Sequence, residues 1–124
     1  MPTPLVLYLH SAGWSVRCQA TTVAVTAAAL GDAVTVALAF EPLRLWVDGR
    51  FDEAAPPAAA GAGLGSLAAA LGEARRDLGL RLVACATLVR ASGLDPEAVR
   101  AALDELTTLP SLWRLAQRGQ ALAF

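Results

Sequence analysis

The sequence predicts a single three-layer α/β domain, a mostly parallel sheet with helices on both of its faces. Short runs of continuous hydrophobicity recur along the chain, and stretches with apolar residues at helical spacing separate them. Continuous rather than alternating hydrophobicity is typical of strands covered on both faces, as in parallel sheets. Strands that alternate with helices form layered sheets through right-handed crossovers. The 124 residues fit one domain, 1–124.

The strands are predicted from apolar runs that are too short for helices, residues 5–10, 33–40 and 80–86. Residues 121–124 are a weaker fourth candidate, and residues 101–108 either continue a helix or add a short strand. A flavodoxin-like strand order, 2-1-3 onward, is the natural choice for so short a chain. We therefore expect strands 1 and 3 to be direct neighbours in the sheet.

Helices are predicted in the segments between the strands. The first has a stripe of apolar residues closed by a glycine: Val16, Ala20, Val23, Ala27, Leu30 and Gly31. The second begins near Ser66 as an N-cap, ends at Gly79, and has its own stripe: Leu64, Leu67, Leu71, Ala74 and Leu78. Asp95 and Pro96 begin another helix with a cap and a proline at the first position. Residues 111–118 form the last helix.

The segment 51–63 (FDEAAPPAAAGAG) is of low complexity. Its paired prolines and scattered glycines argue against both helix and strand. One interpretation is a disordered surface loop. The other is a flap over the carboxyl edge of the sheet, where a loop from this part of the chain would emerge.

Composition and charge exclude several classes of function. The net charge is −1 and the basic residues do not cluster, so no nucleic-acid partner is expected. All ten basic residues are arginine, which excludes Schiff-base chemistry on a lysine. Residues 21–40 are long enough to span a bilayer, but the pair Gly31-Asp32 divides them into a helix and a strand. The amino terminus lacks the basic start of a signal peptide, so we expect a cytoplasmic protein without a membrane.

Sequence motifs for cofactors and metals are missing. No Walker or dinucleotide-binding glycine pattern follows a predicted strand, so no cofactor is expected. Two cysteines and one histidine lack the spacing of a zinc site, so no metal is expected either. In a chain without export signals, the two cysteines are expected to be free thiols.

The candidate site lies at the carboxyl ends of the strands, where open parallel sheets bind their ligands. Strand 1 ends at His10 and continues through Ser11 into a helix that contains Cys18. Strand 3 ends at Cys85, and Thr87 follows at once. If strands 1 and 3 are neighbours, both cysteines and the histidine converge on one edge of the sheet.

Cys85 is the candidate nucleophile, because a thiol between a strand end and a helix start can acquire a lowered pKa. Its alternative role is core packing, since free cysteines are among the most buried residues. Cys18 either packs or serves as an accessory thiol for Cys85. His10 either moves a proton or bonds to a loop. Arg17 and Arg90 either hold an anion, together with Ser11 and Thr87, or are solvated and paired.

Three segments of the chain resemble the DsrE/DsrF-like family. They are residues 82–103 (LVACATLVRASGLDPEAVRAAL), 30–45 (LGDAVTVALAFEPLRL) and 109–124 (LPSLWRLAQRGQALAF). The resemblance implies a flavodoxin-like α/β domain that forms homo- or hetero-oligomers. It also implies a persulfide on the strand-end cysteine, which corresponds to Cys85.

The sequence therefore supports three alternative hypotheses for the function. The leading hypothesis is a sulfur- or thiol-transfer protein, a possible sulfurtransferase with sulfur donor and acceptor proteins as partners. The second is a thiol–disulfide redox protein that uses Cys18 and Cys85. The third is a non-catalytic oligomeric scaffold or ligand-binding module. Because Trp46 and Trp113 add apolar surface to a small domain, we expect a homo-oligomer that buries at least one of them.

Overall fold

The computed structural model describes residues 2–124, and its five-stranded sheet is parallel throughout. The strands are β1 (Pro4–Leu9), β2 (Ala33–Leu38), β3 (Arg81–Cys85), β4 (Glu105–Thr107) and β5 (Gln120–Ala123). The helices are α1 (Trp14–Ala29), α2 (Phe40–Val47), α3 (Pro57–Gly61), α4 (Leu67–Asp77), α5 (Ala86–Ala91), α6 (Pro96–Ala102) and α7 (Leu109–Ala116). The predicted α/β class, with a parallel sheet flanked by helices, is confirmed, and this layered architecture, apart from the strand order, is consistent with a flavodoxin-like fold.

The expected strand order of 2-1-3 is wrong. The observed order is β4-β3-β2-β1-β5, so β2 lies between β1 and β3. Leu5 pairs with Val34 on one side of β2, and Val36 pairs with Leu82 on the other. The helices explain this order, because α1 and α4 pack against each other on the same face of the sheet. A strand order of 2-1-3 would place these two helices on opposite faces.

The two faces of the sheet are covered unequally. The chain moves in one direction from β1 to β4, and right-handed crossovers in one direction place their helices on one face. Leucines and valines of β1, β2 and β3 pack there against α1, α2, α4, α5 and α6. The return from β4 to β5 runs the other way and places α7 on the opposite face. A smaller core of Val6, Ala37 and Val83 meets Leu112 of α7 there.

Helix α1 contacts the sheet through small residues. Its buried face includes Ala20, Ala24 and Ala28, whose short side chains let the helix approach both the sheet and α4. The expected stripe is therefore rotated, and Leu30 is 81% exposed instead of buried. The division of residues 21–40 into a helix and a strand is confirmed. No helix within residues 2–124 combines the length and the hydrophobicity needed to cross a bilayer.

The segment 51–63 is structured, so the interpretation as a disordered loop is wrong. Phe51 is buried in the core and packs edge-to-face on Trp46, with 5.4 Å between the ring centroids. The carboxylate of Asp52 accepts hydrogen bonds from the backbone N–H of Leu67 and from the hydroxyl of Ser66, which fixes the start of α4. Further along, the segment forms α3. The indole of Trp46 donates to the carbonyl of residue 102 at 2.8 Å, so Trp46 is accommodated within the chain.

The ambiguous segment 101–108 contains the short strand β4, preceded by an anchoring aspartate. The Asp104 carboxylate accepts a hydrogen bond from the backbone N–H of Leu82 at 2.7 Å and pairs with Arg75 at 3.0 Å. Burial alone would raise the pKa of Asp104, but these hydrogen bonds and the positive charges of Arg75 and Arg81 outweigh it and lower the pKa. The anchor joins β4 to the start of β3 and to the end of α4.

The edge strand β5 depends on a close backbone approach at Gly119. This residue directly precedes β5, which pairs with β1 through partners such as Val6 and Ala121. A Cβ atom on Gly119 would lie 1.9 Å from the carbonyl oxygen of Pro4. Since a backbone oxygen cannot move aside as a flexible side chain would, only glycine fits where β5 joins β1.

We predict that Gly119→Ala lowers the free energy of unfolding by about 1–3 kcal/mol or more, because it inserts a methyl group against a fixed carbonyl. Gly65→Ala is the matched control, since a Cβ there meets no atom within 4 Å. Urea unfolding of the two variants measures the difference. Equal stability of both would show that β5 does not need glycine at its start.

Candidate functional site

An apolar cavity of about 120 Å³ lies at the carboxyl ends of β1, β2 and β3. We call it the Cys85 cavity. Tyr8, Ala37 and Cys85 line it from the sheet, and Leu109 and Leu112 of α7 cover it. Its position at the carboxyl ends of the strands agrees with the general rule for ligand sites in parallel sheets. Between β1 and β5, where the direction of the chain reverses, Phe124 continues the pairing instead, since its N–H donates to the carbonyl oxygen of Tyr8 and its carbonyl oxygen accepts from His10.

Cys85 is the last residue of β3 and the N-cap of α5. Side chains alternate along a strand, so Cys85 shares the α7 face with Val83, which belongs to the smaller core. Only 7% of the residue is exposed, but the cavity beside it is much larger than the roughly 10–15 Å³ that one water molecule needs. A single additional atom on the thiol therefore has room.

His10 lines the same cavity from the end of β1 and is exposed to solvent. Its backbone N–H donates to the carbonyl oxygen of Phe124 at 2.9 Å, while its imidazole makes no hydrogen bond within residues 2–124. The predicted convergence of His10 and Cys85 holds although their strands are not neighbours. The intervening strand β2 has the small Ala37 at this point and so leaves the space open.

The other residues expected to bind substrate do not line this cavity. Ser11 is half-buried in the first loop, and its backbone N–H donates to the carbonyl oxygen of Phe124 at 3.2 Å. Thr87 and Arg90 lie on α5 and are exposed. None of the three contributes to the lining of the Cys85 cavity. The segment 51–63 does not line it either: Glu53 and Ala54 lie at the carboxyl edge beside Gly13 and Glu41, so the segment does not act as a flap over the Cys85 cavity.

The prediction that Arg17 holds an anion at this site is wrong. Arg17 lies on α1, on the opposite face of the sheet, and is only 1% exposed. Its Nε donates to the carbonyl oxygen of Phe51 at 3.0 Å, its Nη1 lies 3.3 Å from the carboxylate of Glu41, and its Nη2 donates to the carbonyl oxygen of Glu53. The guanidinium therefore holds the start of the 51–63 segment against α1. The sequence could not show this, because the partners are mostly backbone carbonyls.

Cys18 also lies on α1, where it is half-buried and packs against the larger core. Cys85 is on the other face of the sheet. A disulfide requires Cα atoms within about 7 Å and side chains that point toward each other. The prediction that Cys18 is an accessory thiol close to Cys85 is therefore wrong. A redox function based on a disulfide between these two cysteines of one chain loses its geometric basis.

Two aromatic residues of the cavity were missed by the sequence analysis as site residues. Phe40 has a φ of 53°, in the left-handed region that non-glycine residues rarely adopt, and it is partly exposed at the cavity. Tyr8 is half-buried, and this burial raises its pKa. The available signal for Tyr8 was a polar aromatic residue within an otherwise aliphatic strand. The backbone conformation of Phe40 has no sequence signal that we recognise.

Comparisons with known proteins do not assign the site. No protein-family model matches the chain, and a search of curated proteins finds no match. Within residues 2–124, no three side chains of the metal-ligating types come together.

We predict that Arg17→Met lowers the free energy of unfolding by about 2–4 kcal/mol, because it leaves the buried carbonyl group of Phe51 and the partly buried one of Glu53 without a charged donor. Trypsin should then cleave faster after Arg50, which adjoins the segment that Arg17 holds. Arg90→Met, at an exposed arginine, is the control and should stay within about 0.5 kcal/mol of the wild type. Wild-type stability of Arg17→Met would contradict the anchoring role.

Proposed function

We propose that the protein carries sulfur as a persulfide on Cys85. The main support is that Cys85 and the chain's one histidine line the same small cavity at the carboxyl edge of the sheet. The cavity has room for a second sulfur atom beside the thiol, and its walls are almost entirely apolar. The resemblance of residues 82–103 to the DsrE/DsrF-like family supports the same assignment of Cys85.

The proposed transfer exchanges one sulfur–sulfur bond for another and needs no external oxidant or reductant. The Cys85 thiolate attacks the outer sulfur of a donor persulfide, a new bond forms to Sγ, and the donor leaves as a thiolate. The proton released by Cys85 passes to the departing thiolate. In the second half, an acceptor thiolate attacks the outer sulfur, and Cys85 leaves as a thiolate. In each half of the reaction one sulfur–sulfur bond breaks and one forms, so the overall reaction is a group transfer.

The surroundings suit a carrier that protects its cargo. Leu109 and Leu112 line the cavity from the α7 side, and the buried Leu112 limits contact with water there. His10, Phe40 and Leu109 are the exposed members of the lining and therefore mark the entrance. β1 and β3 are separated by β2, which places His10 about 10 Å from Cys85 at the usual strand spacing. At this distance His10 exchanges a proton with the arriving donor and not with Sγ itself.

We predict that incubation with a low-molecular-weight persulfide adds the mass of one sulfur atom to the protein, and that a thiol reductant removes it. Cys85→Ser should abolish the addition, whereas Cys18→Ser should keep it, because Cys18 lies on the opposite face of the sheet. Intact mass spectrometry of the folded protein measures both. Addition that requires unfolding, or that moves with Cys18, would show that Cys85 only packs.

We also propose that two copies of the chain associate through α7 and β5. Tyr8, Leu109, Pro110 and Trp113 form a wholly apolar depression, which we call the α7 patch, and Trp113 is 62% exposed. The patch adjoins β5 because Tyr8 pairs with Ala123. On its outer side β5 has no partner strand within residues 2–124. An apolar patch beside an open and uncharged strand edge suits a second, symmetric copy.

We predict that Trp113→Glu makes the protein monomeric at micromolar concentration, because it places a charge in the α7 patch. Leu30→Glu is the matched control, since Leu30 is 81% exposed and lies outside the α7 patch. Sedimentation velocity measures the oligomeric state of each variant. A wild-type monomer, or a dimer that persists in Trp113→Glu, would contradict this arrangement.

A further inference from the structure

A second and larger depression of about 510 Å³ lies on the other flank of α7, over β2, β3 and β4. We call it the basic groove. It exists because the return crossover supplies only α7 to this face, so the strands beyond the helix stay uncovered. Its polar lining consists of three arginines, one glutamate and three hydroxyl residues: Arg81, Arg114, Arg118, Glu105, Thr35, Thr107 and Ser111.

The charges of the basic groove are not balanced among residues 2–124. Arg81 pairs with Glu105 at 3.0 Å. Arg114 and Arg118 have no carboxylate within 4.0 Å among residues 2–124. Arg114 lies in the last turn of α7 and Arg118 in the turn that follows, and both line the groove, so two like charges lie on one side of it. The groove thus has an excess of positive charge in a chain whose net charge is −1.

The chemistry and size of the groove define its ligand. Guanidinium groups bind phosphate through paired, charge-assisted hydrogen bonds, and hydroxyl groups such as those of Thr107 and Ser111 add further donors. The floor is apolar, with Val83, Leu112 and Leu115 available to an organic body. A volume of this order is typical of sites for small molecules. We propose that the basic groove binds a small organic molecule that carries a phosphate group.

A nucleic acid fits the observations less well. The basic residues of this face are confined to one depression, and the chain as a whole is slightly acidic. A polymer of phosphates requires a continuous positive track along which counterions are released. The groove instead offers two unpaired guanidinium groups beside an apolar floor, which match one phosphate on an organic body.

Phenyl phosphate is the probe for this proposal. Phenol, which lacks the phosphate group, and inorganic phosphate, which lacks the organic body, test the two parts separately. Isothermal titration calorimetry of the wild type should show saturable binding of phenyl phosphate and weaker binding of either part alone. The double variant Arg114→Gln with Arg118→Gln should lose affinity about tenfold or more, since two charge-assisted contacts are removed. The control pair Arg76→Gln with Arg90→Gln, exposed and outside the groove, makes the same charge change and should bind as the wild type does.

Other results would overturn the proposal. They are no saturable binding of phenyl phosphate, equal losses in the two double variants, or phenol binding as tightly as phenyl phosphate. A single-stranded oligonucleotide that outcompetes phenyl phosphate would assign the groove to nucleic acid instead. Cys85→Ser should bind phenyl phosphate like the wild type, because the groove does not include Cys85. Failure of the sulfur-carrier function and failure of the groove are therefore distinguishable.

Discussion

The handedness of the crossovers constrains nearly every other feature of this molecule. Three successive crossovers move in one direction, so the larger core forms on one face from five helices and three strands. The single reversal, from β4 to β5, leaves α7 alone on the other face. One short helix cannot cover five strands. The Cys85 cavity, the α7 patch and the basic groove all lie beside or beneath this helix, where the sheet is incompletely covered.

On the face of the sheet that five helices cover, charged residues stabilise the fold and do not line the candidate site. A buried Arg17 would be costly in an apolar core, but two backbone carbonyls and the Glu41 carboxylate satisfy its guanidinium. Asp52 and Asp104 act similarly, each accepting backbone N–H groups at the start of α4 or β3. These charged anchors hold connections that have little apolar surface of their own.

The sequence predicted β1, β2 and β3 well, because each has a largely apolar run with clear ends, whereas the short β4 was ambiguous and β5 only a weak candidate. It could not predict their order, since β1 and β2 have equally apolar runs and order depends on which helices pack together. The convergence of His10 and Cys85 was predicted on the assumption that β1 and β3 are adjacent, which is wrong. Both residues nevertheless line one cavity, because the small Ala37 of the intervening β2 leaves space between them. Arg17 was misassigned because its main partners are backbone carbonyl groups, which every residue has and which a sequence pattern therefore cannot indicate.

Helix α7 shows how one element can serve three surfaces. Residues three or four apart share a side of a helix, so its sequence divides into three stripes. Leu112, Leu115 and Ala116 face the sheet, Leu109, Pro110 and Trp113 lie in the α7 patch, and Ser111 and Arg114 line the basic groove, which Arg118 joins from the turn after the helix. Leu112 lines both the groove and the Cys85 cavity. A rotation of α7 by one residue, about 100°, would exchange the stripes and disturb all three surfaces together.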